Sequence, residues 1–219
     1  MFIHELVGGE TNPVYQDLSV ENLDRQYAFL RSLVLASAAL KRPILSIEVI
    51  KALNYHAISV LHPYAGEFRP CPVEVGDYKP PPHYLVPGLM NMFVDEVNRY
   101  WDSTDPVQLC AYVLWRLNQI HPFVNGNGRA ARASCYYVLC LKLGGWLAGS
   151  PILPALIKAN RGGYVSALKV ADSSAAAGKL DLGELHALIS NLLNVQTGGG
   201  SFKPSSATPS GDGNPPDPH

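Results

Sequence analysis

Apolar residues recur at helical spacing through most of the chain. From about Glu21 to Leu40 the inward positions are Leu23, Tyr27, Leu30, Leu33 and Val34. From about Ser46 to His62 they are Ile47, Ile50, Leu53 and Ile58, with Ser46 placed to cap the first turn. Val86, Leu89, Met90, Phe93, Val94 and Val97 follow the i, i+3, i+4, i+7 rule, and Asp95, Glu96 and Asn98 take the other side. Asp105-Pro106 begins a further helix, because Asp105 can accept from free amides, Pro106 has no amide to lose and Gln108 holds the capping-box position. That helix, from Val107 to about Gln119, is apolar on nearly every side, which predicts a buried central position. Small residues, Ala130, Ala131, Ala133, Ser134 and Cys135, then predict a helix that approaches a neighbour closely and stops at Gly144-Gly145. Pro154 to about Val170 and Asp181 to Leu193 complete the helical pattern, so the fold class is all-α.

One stretch departs from this period. Between His62 and His83 there are prolines at Pro63, Pro70, Pro72, Pro80, Pro81 and Pro82, and Val73-Glu74-Val75 alternates before Gly76-Asp77. This predicts a short hairpin or extended flap. After Thr197 the sequence turns to Gly, Ser and Pro, which predicts a disordered tail over 197–219 behind a single domain over 1–196.

Composition narrows the choices. A chain of 219 residues buries one sizeable core. A formal net charge of -1, with 16% charged residues, gives no whole-chain case for nucleic acid or an anionic membrane as partner. No apolar run reaches the roughly 18 residues of a membrane span, and Met1-Phe2-Ile3-His4-Glu5 lacks the pattern of a secretory signal. The expected setting is the cytoplasm. Cys71, Cys110, Cys135 and Cys140 show no Cys-x-x-Cys spacing and are expected to be reduced core thiols.

The run that carries chemistry is His121-Pro122-Phe123-Val124-Asn125-Gly126-Asn127-Gly128-Arg129-Ala130-Ala131-Arg132. Pro122 disfavours helical geometry at His121, so the central helix is expected to end there and leave the imidazole at a loop edge. Asn-Gly-Asn-Gly is a turn, and the helix after it directs several backbone N–H groups to one point, an anion site. Arg129 and Arg132, at i and i+3, lie in the first turn, where cations oppose the helix dipole unless an anion binds. Both guanidinium groups could then fork onto neighbouring phosphates.

This run resembles the signature of the Fic family, His-x-Phe-x-Asp/Glu-Gly-Asn-Gly-Arg-x-x-Arg, at every fixed position except Asn125. Gly66-Glu67-Phe68-Arg69 with the prolines up to Pro82 is similar to the family's flap, and Asn160 to Leu168 resembles the segment after the signature helix. The resemblance covers a core of about 44–170 and implies a Fic-type helical bundle with a small β-hairpin flap. It implies a protein adenylyltransferase that moves AMP from ATP to a Ser, Thr or Tyr hydroxyl of a target protein. By position, His121 would be the general base and Phe123 would pack in the core. Gly126, Asn127 and Gly128 would form the anion hole, and Arg129 and Arg132 would hold the triphosphate. Val73, Glu74 and Val75 would clamp the target as an added strand, while Asn160 and Tyr164 would line the base pocket. Phosphoryl chemistry asks chiefly for positioning and charge neutralisation, which suits this allocation.

Asn125 is the departure. The family's acidic residue helps to hold Mg²⁺, and an amide oxygen keeps the shape but not the charge, so it ligates a hard cation more weakly. Three readings stay open: transfer with reduced activity, a different phosphate-containing donor, or a catalytically weakened module that binds nucleotide or partner. Some members carry an inhibitory helix, and Asp17-Leu18-Ser19-Val20-Glu21-Asn22 is similar to its pattern, with Asp17 where a hydroxyl is expected. That would bring Glu21 to Arg132. Failing this, control would fall to a separate antitoxin-like protein or be absent.

Overall fold

In the computed structural model, which describes residues 2–41, 45–76 and 78–199, the chain is a helical bundle. In chain order the helices are α1 (Ile3–Leu6), α2 (Pro13–Ala39), α3 (Ile47–Ile58), α4 (Val86–Arg99), α5 (Pro106–Ile120), α6 (Asn127–Lys142), α7 (Leu153–Ala159), α8 (Arg161–Ala176) and α9 (Gly183–Thr197), with a short 3₁₀ turn at His83–Leu85. Helices α5 and α6 form the central antiparallel pair and pack most extensively. Leu109, Leu114, Ile120, Ala131, Cys135, Tyr136 and Leu139 bury their side chains between them and their neighbours. Alanine and cysteine on α6 let the backbones approach, as their size predicts. Helices α2, α3 and α4 cover one flank; α7, α8 and α9 cover the other.

Most boundaries follow local chemistry. Ser46 Oγ accepts from the Val49 amide at 3.2 Å, and Asp105 Oδ1 accepts from Val107 and Gln108 at 2.9 and 3.0 Å. Gly144 and Gly145 both take positive φ after α6, and the Gly145 amide reaches back to the Cys140 carbonyl at 2.8 Å.

Four features differ from the sequence pattern. Helix α2 begins eight residues before Glu21, at Pro13, with Asn12 Oδ1 capping Val14 at 3.0 Å. Its buried stripe is Tyr15, Asn22, Gln26, Leu30 and Val34, so two polar residues interrupt the apolar period. Both are hydrogen-bonded to α3 and its exit: Asn22 donates to Ser59 O at 2.9 Å and Gln26 to Leu53 O at 2.8 Å. The segment expected as one helix from Pro154 is two, α7 and α8, which break at Asn160 (φ -95, ψ 46). The hairpin is a single antiparallel bridge, Val75 to Tyr78, and no named strand occurs among the described residues. The prolines around it lack the amides a longer ladder needs. Finally, Cys110, Cys135 and Cys140 are buried thiols, whereas Cys71 is exposed in the flap. No helix among the described residues is long and apolar enough to cross a membrane. Of the expected tail, 200–219 lie outside the described residues, and α9 runs through Thr197.

Candidate active site

His121 caps α5 in the left-handed region (φ 51, ψ 60), with its amide still bonded to Leu117 O at 3.0 Å. Such a conformation is costly for a residue with a β-carbon. Arg69 secures it: the guanidinium Nε donates to His121 O at 2.8 Å, and the Arg69 amide donates to Pro122 O at 2.9 Å. The same side chain, only 2% exposed, donates from Nη1 to Cys71 O at 3.2 Å and from Nη2 to Pro81 O. Arg69 thus fastens both ends of the flap to the His121 loop, a role that nothing in its proline-rich surroundings announces.

The imidazole is largely buried, and burial, with the nearby Arg69 charge adding to it, lowers its pKa from 6.5 to about 4 against the raising effect of the Asn118 carbonyl. It is therefore neutral at pH 7. Its Nδ1 faces Asn118 O at 3.4 Å, which favours the tautomer with the proton on Nδ1 and leaves Nε2 as the acceptor.

The loop beyond His121 is held from inside and from outside. Phe123 is fully buried and packs against Phe68, with ring centres 6.0 Å apart. The Asn127 side chain bonds Phe123 twice, accepting from its amide at 2.9 Å and donating to its carbonyl at 2.8 Å. Outside the motif, Asn54 on α3 donates to Asn125 O at 2.9 Å and accepts from the Gly66 amide at 2.9 Å, and it is fully buried. Gly126 lies at φ 76, where a β-carbon would stand 2.6 Å from Ile58 Cγ2 and 2.9 Å from Asn54 Nδ2. Gly126 is the N-cap of α6 and brings no side chain to cap it. The first amides of α6, at Asn127, Gly128 and Arg129, have no carbonyl one turn back, so they remain free for an anion.

The two motif arginines diverge. Arg132 lines a cavity of about 510 Å³ together with His121, Gly128, Asn118 and Tyr164, and with Val75 and Tyr78 of the flap. A β-carbon at Gly128 would stand 3.1 Å from Arg132 Nη1, so the glycine keeps room for the guanidinium. The Arg132 Nε is buried and lacks a hydrogen-bond partner among the described residues, an unsatisfied donor beside the anion site. Arg129 turns the other way: Nη1 donates to Ala57 O at 2.9 Å and Ser19 Oγ at 3.2 Å, and Nη2 faces Asn125 Oδ1 at 3.4 Å. The shared face that the i, i+3 spacing suggests is not formed in this state.

The flap closes one side of the cavity. Tyr78 OH donates to Gln119 O at 2.6 Å, Val75 lies at the mouth, and Glu74 and Val75 are exposed while Val73 is half-buried. Across from it, Tyr164 is buried with its hydroxyl accepting from Asn118 at 2.7 Å, whereas Asn160 is exposed at the α7–α8 break. Lys158, Arg161 and Lys169 add positive charge to the lining, and Asp172, held by Trp115 Nε1 at 2.8 Å, is the acid among them. Glu21 is exposed and pairs with Arg25 at 3.3 Å, one turn along α2, and not with Arg132. No cluster of three or more His, Cys, Asp or Glu side chains suited to a metal occurs among the described residues.

The fold and site together define a helical domain with a flap-covered cavity that holds a histidine, an arginine and a helix N-terminus. Residues 44–139 match the model of the Fic/DOC family, and the domain they span belongs to that family. The protein adenylyltransferases Fic of Drosophila willistoni and Drosophila melanogaster are each 38% identical over 109 residues, which is 49% of this chain and 20% of either relative. The chain thus matches about a fifth of the length of those curated relatives. Among solved structures, Fic-1 of C. elegans aligns with a TM-score of 0.62 at 24% identity over 79% of this chain and 47% of that one. A Fic domain containing signaling protein from Bacteroides thetaiotaomicron aligns with a TM-score of 0.61 at 24% identity, over 81% of this chain and 68% of that one. These two alignments bear on the fold alone.

Proposed function

We propose that the domain is a protein adenylyltransferase that moves AMP from ATP to a Ser, Thr or Tyr hydroxyl of a target protein. The observation that carries this reading is that His121, Gly128 and Arg132 line one cavity whose mouth is bordered by Val75 of the flap. In the proposed step the target's hydroxyl oxygen attacks the α-phosphorus and pyrophosphate leaves. The hydroxyl proton passes to His121 Nε2, which is free to accept because Nδ1 faces the Asn118 carbonyl. Burial keeps the imidazole neutral and ready at pH 7. The amides of Gly126, Asn127 and Gly128 and the guanidinium of Arg132 would bind phosphate oxygens where negative charge gathers. Arg129 would join them by a rotation away from Ser19 and Ala57. The exposed edge at Val73 to Val75 would take the target's main chain as a neighbouring strand.

Mg²⁺ would supply charge neutralisation on the phosphates. Asn125 offers it one neutral oxygen, which suits a cation held mainly by phosphate and water. The reading places the reaction in the cytoplasm, where exposed Cys71 stays reduced. Since Glu21 is engaged with Arg25, inhibition would come from a separate antitoxin-like protein.

A second reading, a catalytically weakened module that binds nucleotide or partner, draws on Asn125, whose amide bonds to Glu10 and faces Arg129. Transfer from a different phosphate-containing donor is the third. The test is transfer of label from α-labelled ATP with Mg²⁺ into proteins of a host lysate, for wild type, His121→Ala and Asn125→Asp. Label that appears with wild type and disappears with His121→Ala supports the transferase. No label from wild type, with label from Asn125→Asp, supports the weakened module.

A further inference from the structure

Tyr164 brings α8 to the same cavity as Gly128 and Arg132 of α6. It is 6% exposed, and its hydroxyl meets Asn118 Nδ2 at 2.7 Å. A third group fixes the direction of that hydrogen bond. The same Nδ2 lies 2.6 Å from the Leu114 carbonyl, which can only accept, so the atom there is the amide nitrogen and both of its hydrogens are engaged. The Tyr164 oxygen therefore accepts, and its own hydrogen is left over. No acceptor for that hydrogen occurs among the described residues. Burial raises the pKa of the hydroxyl, against a lowering by the nearby Arg132 charge, so the proton stays in place at neutral pH. A buried donor of this kind costs free energy until a ligand or water supplies the acceptor.

We propose that Tyr164 is a phosphate-binding residue, its hydroxyl donating to an oxygen of the phosphate chain beyond the α-phosphorus. This rests on the nucleotide-transfer reading, and it moves Tyr164 from the base pocket, where the sequence resemblance puts it, to the other end of the donor. The first argument is the neighbour. Arg132 Nε is also buried and without a partner among the described residues, so α6 and α8 each bring an unsatisfied donor to one cavity. Phosphate satisfies both, because it offers several charged acceptor oxygens and no hydrogen of its own.

The second argument is charge along the lining. Arg161 starts α8 one turn before Tyr164, and Lys158 lies at the end of α7, so three cations with Arg132 stand at this end of the cavity. The acid in the lining, Asp172, lies about two turns beyond Tyr164, where Lys169 offsets it and Trp115 Nε1 donates to it at 2.8 Å. Trp115, Leu168 and Asp172 are thus left for the nucleoside. The third is registry. Asn118 orients the Tyr164 hydroxyl through its side chain and faces His121 Nδ1 through its carbonyl at 3.4 Å. One residue of α5 therefore sets both groups, which favours the reacting end of the donor over its base.

The test titrates the full chain, wild type and Tyr164→Phe, with a non-transferable ATP analogue, inorganic tripolyphosphate and AMP in a calorimeter. Phenylalanine keeps the ring and removes only the hydroxyl. The ATP analogue and tripolyphosphate should bind the variant on the order of tenfold more weakly, the effect of losing a hydrogen bond to a charged acceptor. AMP should bind within about twofold of wild type, which shows that the cavity is intact. In the wild type, tripolyphosphate should shift the Tyr164 hydroxyl proton in the nuclear magnetic resonance spectrum and AMP should not, a reading that holds even where the variant fails to fold. Unchanged tripolyphosphate affinity in Tyr164→Phe overturns the proposal. So does a loss for AMP as large as that for tripolyphosphate in a variant that melts like wild type, since the hydroxyl then serves the nucleoside or the packing. A wild type that binds tripolyphosphate through Tyr164 but transfers no label from α-labelled ATP keeps the phosphate contact and overturns the transferase reading.

Discussion

Replacing Asn54 with alanine probes the joint between flap and phosphate loop. The wild-type amide makes two hydrogen bonds in opposite directions, to Asn125 O and from the Gly66 amide, both at 2.9 Å, and it is fully buried. Alanine leaves a buried N–H and a partly buried C=O without partners, each costing about 1–3 kcal/mol. Asn125 O is close enough to solvent to recruit water, so the sum should fall near the lower half, about 3 kcal/mol. For a chain of this size that corresponds to a fall in Tm of about 6–12 °C. Thermal unfolding followed by circular dichroism reads it directly. Asn54→Asp is the control: it keeps the acceptor for Gly66, loses the donor to Asn125 and sets a carboxylate against that carbonyl. It should therefore melt no higher than the alanine variant and bind ATP poorly, measured with a fluorescent analogue. If Asn54→Ala melts within about 2 °C of wild type, the joint carries no stability and the reasoning fails.

The proposed base role of His121 predicts a flat pH–rate profile between about pH 6 and 8, with activity lost only as pH falls toward 4 and the imidazole takes up a proton. Stability should fall in step between pH 6.5 and about 4, because there the unfolded chain binds a proton that the native site refuses; an activity inflection near 6.5 would rule out this environment. Gly126→Ala should lower the urea midpoint by the equivalent of about 2 kcal/mol or more, from the left-handed backbone and the 2.6 Å approach to Ile58, and an unchanged midpoint would mean the loop relaxes freely. Arg69→Lys keeps the charge but not the fork that serves His121, Cys71 and Pro81, so kcat should fall and limited proteolysis should cut the flap faster; wild-type cleavage rates would count against the fastening role.

The helices and the loop after His121 are legible in sequence because their determinants are local. Pro122 after His121, Asp105 before Pro106 and Gly144-Gly145 each act within a turn, and each falls where the pattern puts it. What escapes is long-range. Asn22 and Gln26 look like solvent-facing breaks in an amphipathic helix, yet they are buried because α3 offers them carbonyls. The α2 start was missed with them. The helix expected from Pro154 runs on in pattern through Asn160, but there the backbone leaves helical geometry. Gly163 leaves room for the asparagine side chain, since a β-carbon would meet Asn160 Oδ1 at 2.9 Å. Arg129 and Arg132 share a helical face on paper and not in space, because Ala57 O and Ser19 capture one of them.

The same distinction separates the chemistry of the motif from its geometry. Residues 121–132 contain the proposed base, the amides at the start of α6 and the arginines proposed to hold phosphate, but they do not hold their own shape. His121 sits in a backbone region that costs an ordinary residue about 1–2 kcal/mol, and Arg69 reaches its carbonyl from the flap. Asn125 has its carbonyl held by Asn54 from α3 and its amide held by Glu10 from the opposite end of the chain. Each tie comes from a different element, so the loop's position reports the state of three separate parts of the fold. On the proposed function, a target that adds a strand at Val75 would move the flap and pull on His121 through Arg69. Displacement of the segment before α2 frees Asn125 without touching His121. The ties to His121 and to Asn125 are thus mechanically separate, so Arg69→Lys should lower kcat while Glu10→Gln frees the Asn125 end of the loop alone, which limited proteolysis at the two ends would read.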